Sequence, residues 1–248
     1  MLIDEICEAL LPAAAERAVA DVRIGLGYTA VQVDDGGCGL AYTFRDEIPS
    51  GCSVIHSAGT LVGRQASELA LWAKSHEALP AAIGLATLNA LIGVPAGAVE
   101  TDLLALLACE PADEAGMVGH FAPLADPLKA RCRALHILEL RADPGSGLLP
   151  ASAAAEVLPR CRIVILSATT LINRTLDELL PLCRSAREVA ILGPSTPMLP
   201  EVFAGRGVTC LSGVRVSSAE RALRVVSEGG GTRQFGGAVR KLTLRLPA

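Results

Sequence analysis

A histidine and an acid stand where an open α/β sheet would place chemistry. His120 follows the apolar run Met117-Val118 and the turn residue Gly119, and Glu139 ends the run Leu135-His136-Ile137-Leu138. A histidine so placed can move protons near neutral pH or hold a metal ion, and a carboxylate can serve in either role. Two further apolar runs stop on small polar residues. Ile163-Val164-Ile165-Leu166 leads into Ser167-Ala168-Thr169-Thr170, with Asn173 close behind. Val189-Ala190-Ile191-Leu192 leads into Gly193-Pro194-Ser195-Thr196-Pro197. Thr169, Thr170 and Asn173 are more donors and acceptors than one helix cap needs, and the surplus leans towards ligand contact. Ser195 and Thr196 are held between two prolines, so a ligand bound there orders little that is not already ordered.

Each of these residues has a plainer role. His120 can bond to backbone and simply shape its turn. Glu139 can be a solvated strand-end acid paired with Arg141. His136, inside its run, reads as a core residue, and His56 and His76 offer no spacing to argue from. Asn89 lies in an otherwise apolar helical stretch, where an unpartnered amide would be costly. It is either a structural bridge or a polar finger reaching a cleft.

Gly119 and Glu139 are twenty residues apart, the distance between a glycine-rich turn and a ribose-binding acid. The rest of that fingerprint is missing. Gly116-Met117-Val118-Gly119-His120-Phe121-Ala122-Pro123 has no G-x-G-x-x-G, and Pro123 has no amide hydrogen. Asp126-Pro127 reads as a helix start, which would set a carboxylate where a pyrophosphate belongs. NAD is therefore not expected, and neither a phosphate-binding P-loop nor a G-x-S-x-G elbow is present.

The runs that must position these groups are short, uncharged and rich in branched residues, as strands buried on both faces are. From Gly116 onward strands and helices alternate, which predicts parallel β-α units with the polar clusters gathered beyond the carboxyl ends of the strands. Thr175 with Glu178 and Ser217 with Glu220 have capping-box spacing. Gly229 is a helix stop, and Leu242, Leu244 and Leu246 alternate in a last edge strand.

The first part of the chain reads differently. A helix is predicted over 3–20, then a strand through Val22, Ile24, Leu26, Tyr28 and Ala30. A turn at Asp34-Asp35-Gly36-Gly37 leads to a returning strand with Cys38, Leu40, Tyr42 and Phe44. Helices follow over 61–74 and 80–92, a linker at 93–97, and an apolar helix from Thr101-Asp102 to Cys109.

Of 248 residues, 51% are hydrophobic and 19% charged, enough for a sizeable core. Aromatics are only 3% and net charge is −4, which disfavours a nucleic-acid partner. The eight cysteines lie singly, at least fourteen residues apart and with no C-x-x-C, so buried free thiols in a reducing cytoplasm are expected. The acidic amino terminus does not read as an export signal. The uncharged run 79–99 is broken by Pro80, Pro95 and three glycines, so membrane insertion is not expected either.

Five segments resemble the putative heavy-metal chelation family, in order and spacing over nearly the whole chain. They are Ile24-Gly25-Leu26-Gly27-Tyr28-Thr29-Ala30-Val31, Ala82-Ile83-Gly84-Leu85-Ala86-Thr87-Leu88-Asn89-Ala90, Val118-Gly119-His120-Phe121, Ala168-Thr169-Thr170-Leu171-Ile172-Asn173 and Leu192-Gly193-Pro194-Ser195-Thr196-Pro197. The resemblance implies an α/β chain: a small α+β domain like the amino-terminal domain of enolases over 1–98, then a Rossmann-like parallel sheet with helices on both faces over 99–248. It also implies a site between the two.

The expected ligand set is Asn89, Gly119, His120, Glu139, Thr169, Thr170, Asn173, Gly193, Ser195 and Thr196, with His120 and Glu139 as candidates for catalysis or metal. One histidine, one acid and hydroxyls are too few soft ligands for a bare heavy metal. A small molecule, or a metal already held by an organic chelate, suits them better. An enzyme using His120 or Glu139 as acid or base, and a non-catalytic subunit or homodimer, are the alternatives.

Overall fold

The computed structural model describes residues 1–51, 53–143 and 145–247, so Cys52 lies outside the described residues. Helix α1 (Leu2–Ala15) buries Leu2, Ile3, Ile6, Cys7, Leu10 and Ala14, a stripe at helical spacing. It stops five residues short of the predicted end. The cause is β-branched Val19, which opens strand β1 (Val19–Ile24) and donates its amide to Arg64 O at 2.8 Å. The single strand read through 22–30 is two. Gly25-Leu26-Gly27 turns the chain into β2 (Tyr28–Val33), and the expected Asp34 to Gly37 turn then leads to β3 (Cys38–Tyr42). The result is a three-stranded antiparallel meander, β1-β2-β3.

Helix α2 (Ala66–Ala70) begins later than predicted, because Gly63 and Arg64 are tied to Val19 as an edge. Helix α3 (Ala78–Ala90) is buried almost all round and lies against β3. Its approach is close enough that a Cβ on Gly39 would stand 2.1 Å from Ala86 O. The apolar helix predicted after Asp102 is one 3-10 turn, Leu103–Ala105. Val99 instead pairs with Thr243, and the Asp102 carboxylate bonds Lys241 rather than capping a helix.

The second half alternates strands β4 (Glu114–Val118), β5 (Ala134–Glu139), β6 (Leu149–Pro150), β7 (Ile163–Ser167), β8 (Glu188–Leu192), β9 (Cys210–Val216) and β10 (Val239–Arg245) with helices α4 (Ala122–Lys129), α5 (Ala154–Val157), α6 (Leu176–Leu179), α7 (Pro200–Phe203), α8 (Ala219–Ser227) and α9 (Thr232–Phe235). The sheet order is β10-β9-β8-β7-β4-β5-β6, parallel throughout except the edge strand β10. The chain leaves β4 towards β5 and β6 and returns on its other side as β7, so the strand order switches at β4.

Alternate strand residues face opposite ways. Ala115, Met117, Ile163 and Ile165 meet Leu103, Leu107 and Leu128 on one face. Val164, Leu166, Val189 and Ile191 meet Leu158, Leu176 and Leu180 on the other, in a core continuous with Leu2, Ile6, Leu69 and Ile83.

Three local expectations are corrected. Asp126 and Pro127 do not start a helix: α4 begins at Ala122 with Pro123 in its first turn, since the chain turns at once after β4. Neither capping box forms. Thr175 donates its hydroxyl to Asn173 Oδ1 at 2.8 Å, and Ser218 rather than Ser217 caps α8. His136 is half-buried, with Nε2 3.0 Å from Glu114 Oε2, and is not a core residue.

Candidate functional site

A cavity of about 1080 Å³ lies between the small sheet and the carboxyl ends of the parallel strands. It sits at the switch of strand order, where ligands bind in open α/β sheets. One wall is aromatic. Tyr28, Tyr42 and Phe44 form an edge-to-face ladder, with centroids 6.0 and 5.1 Å apart between successive rings. The facing rim is the polar set at the ends of β4, β5, β7 and β8: Gly119, His120, Glu139, Thr169, Thr170, Asn173 and Gly193.

These rim groups are fixed by the turns that carry them. Gly119 has φ +89°, the left-handed region that glycine occupies without cost. The turn brings the His120 amide onto Glu139 Oε1 at 2.5 Å. The carboxylate therefore locks the β4–α4 turn to β5, and the His120 side chain is left exposed at the mouth. Arg141, the partner expected for Glu139, instead pairs with Asp46 at 3.2 Å.

At the end of β7, Ser167 Oγ lies 2.8 Å from Thr169 Oγ1, and Thr170 is buried and donates back to Ser167 O. Asn173 spends Oδ1 on the Thr175 amide and hydroxyl, at 3.3 and 2.8 Å.

Asn89, Ser195 and Thr196 are not on this rim. Ser195 Oγ accepts the Tyr42 amide at 2.8 Å. Asn89 Nδ2 donates to Leu40 O at 2.9 Å and to Ser195 O at 3.2 Å, and Thr196 donates to Ser212 O at 3.0 Å. Ser195 and Asn89 thus join the two sheets, and Thr196 ties its loop to β9 within the larger one. Asn89 and Thr196 also line a second, smaller space of about 540 Å³.

Sequence reading missed the aromatic wall and the last contributors, Ser212, Thr232, Arg233 and Gln234. The wall comes from alternate positions of the meander, whose pattern looks like any half-buried strand. The run Gly229-Gly230-Gly231 ahead of Thr232 was the one legible signal.

The donor set does not suit a bare metal. Among the described residues no three His, Cys, Asp or Glu side chains gather where they could share an ion. Burial raises each described thiol above its ordinary value, which favours the protonated form. Cys161 and Cys183 donate to Val157 O and Leu179 O, each at 3.3 Å. Burial pushes the Cys161 thiol up to about 11 and the Cys183 thiol up to about 12. Only a thiolate ligates soft metals well, so these groups are withheld.

Comparison with known proteins agrees with this architecture. An uncharacterized protein of Methanocaldococcus jannaschii is 25% identical over 260 residues, covering 99% of this chain and 98% of that one. A crystal structure of a protein of unknown function from Desulfitobacterium hafniense matches with TM-score 0.81 and 27% identity, covering 98% of each chain. One from Pyrococcus horikoshii shares the fold with TM-score 0.86 at 24% identity, over 99% of this chain and 100% of that one. Two family models described as "Putative heavy-metal chelation" match residues 7–92 and 102–245, the second spanning more than half of the sequence, and the chain belongs to that family.

Proposed function

We propose that the interdomain cleft binds a small organic molecule, or a metal ion delivered inside an organic chelate, and that the protein does not ligate a bare ion. The observation that carries this reading is the lining itself. A space of about 1080 Å³ combines an aromatic wall with hydroxyl and amide groups and the scattered charges of Asp102, Glu139, Glu178, Arg233 and Lys241, and among the described residues no three His, Cys, Asp or Glu side chains gather to hold an ion. Apolar area supplies affinity and the few polar groups supply orientation, as in other small-molecule sites. A chelated metal satisfies the family description while presenting organic surface to these groups.

Native mass spectrometry of freshly purified protein, with elemental analysis of the same sample, tests this. An organic mass is expected, with any metal in fixed ratio to it. A metal bound one-to-one with no organic mass would overturn the reading.

A second reading adds catalysis. The exposed His120 ring faces the mouth of the cleft, where it can exchange protons with a bound molecule. It requires that His120→Ala abolish turnover of the bound molecule while binding and thermal unfolding stay unchanged.

A further inference from the structure

We propose that the occupant of the cleft carries a nucleoside without a phosphate at its 5′ position, its ribose diol read by Glu139 and its base held in the apolar slot beside β5. This rests on the cleft-binding reading above and names the ligand class.

The first observation is placement. Val118 and Leu138 are paired in register on parallel strands, so the Gly119 turn and Glu139 face each other at neighbouring strand ends. In nucleotide-binding α/β sheets the acid that takes the ribose hydroxyls stands at that strand end. The second is the state of the carboxylate. The His120 amide fixes Oε1, and Oε2 accepts from no donor among the described residues. A carboxylate has about four lone-pair sites, so one amide leaves capacity for both hydroxyls of a vicinal diol.

The third is the slot. Leu140, 53% exposed, lines the cavity next to Glu139 together with Leu138, Ala151 and Ala155. Ala151 and Ala155 carry only methyl side chains and Leu140 is uncovered, so this part of the lining offers apolar surface with room for a planar base.

The same region argues against a phosphate. The Phe121 ring covers the place where one would approach. A Cβ on Gly119 would lie 3.7 Å from Phe121 Cε2, and one on Gly193 3.8 Å from Phe121 Cε1. Pro123 in the first turn of α4 removes an amide that a phosphate would use. The phenyl ring and this proline disfavour a phosphate here, and Asp126, which lies inside α4, does not bear on it. The cavity extends beyond a nucleoside, towards the tyrosine wall, where the rest of the molecule would lie.

Calorimetric titration of the full chain with adenosine, guanosine, cytidine and uridine, and with the 2′-deoxy and 3′-deoxy forms of any binder, tests this. One ribonucleoside is expected to bind, with each deoxy form weaker by about tenfold or more, and with no gain from the 5′-diphosphate. Glu139→Gln keeps the side chain's size and an acceptor for the His120 amide. It should weaken the ribonucleoside about ten- to hundredfold and the deoxy forms, which keep one of the two hydroxyls, by a smaller factor. Ala155→Leu, at an exposed position, should abolish binding by filling the slot without touching the acid. Binding of no nucleoside, equal binding of the deoxy forms, or indifference to both substitutions would overturn the proposal. A co-purifying organic molecule that is not a nucleoside would overturn it while leaving cleft binding standing, whereas a bare metal would remove both.

Discussion

At the scale of single residues, Glu139 and the thiols decide the chemistry in opposite ways. Glu139 is engaged on one oxygen and available on the other, so it orients its turn and can still recognise a ligand. The described thiols are held towards the protonated form, which ligates soft metals poorly. Burial pushes Cys38 and Cys183 up to about 12 and Cys7, Cys132 and Cys210 to about 11. Their unfolded reference is 9.0. A raised folded value means that the native state holds these protons more tightly than the unfolded chain does. Stability is therefore unaffected below about pH 9 and falls as pH rises from there towards 11–12. Denaturant midpoints measured from neutral to about pH 10 should show this loss, and a flat profile would contradict it. His120 and Glu139 were legible as candidates because each ends an apolar run. The amide bond joining them was not, because it depends on Gly119 adopting a left-handed backbone.

At the scale of elements, the site depends on how closely the meander and α3 approach each other. Gly39 faces the backbone of α3, and a methyl there meets Ala86 O at 2.1 Å and Ala90 N at 2.3 Å. Backbone atoms cannot rotate aside, so Gly39→Ala should cost about 3 kcal/mol, the upper end for overpacking. Chemical denaturation of the variant measures it, and a cost below about 0.5 kcal/mol would show that α3 moves freely. β3 carries Tyr42 and leads into Phe44, so the same substitution should also disturb the aromatic wall.

The parallel strands were legible from their unbroken branched runs, since burial on both faces leaves no polar alternation. The meander was misread as a simple hairpin, because the alternation continues across Gly25-Leu26-Gly27 and period alone does not reveal a turn. The helix expected after Asp102 failed for a non-local reason. Val99 pairs with the last strand, and the chain cannot serve both.

At the scale of the whole molecule, the two halves share their interior. The small sheet is covered on one side by α3 and on the other by α8, which arrives from the far end of the chain. Ala30 and Leu40 pack against Ala222, Leu223, Val226 and Phe235. Asn89 and Ser195 add hydrogen bonds across the same seam. A chain joined in this way should unfold in one transition, with near-ultraviolet and far-ultraviolet dichroism coincident. Two separated transitions would mean that residues before and after the linker at 93–97 are independent. Among the described residues no helix is long and apolar enough to cross a membrane, in keeping with the reading of the uncharged run 79–99 as a buried helix and linker.

The sequence by itself determined the parallel strands, their order of appearance and the polar residues at their ends, because burial on two faces and the stop of each apolar run are local signals. Only the tertiary structure decided which of those polar residues share a space. Ser195 and Asn89 turned inward to join the sheets and Thr196 to bond β9, while Tyr28, Tyr42 and Phe44, far along the chain from His120 and Glu139, became the wall across the cavity from them. The reason is physical: a strand's alternation fixes that a side chain points to one face or the other. What stands across that face depends on packing against residues far along the sequence.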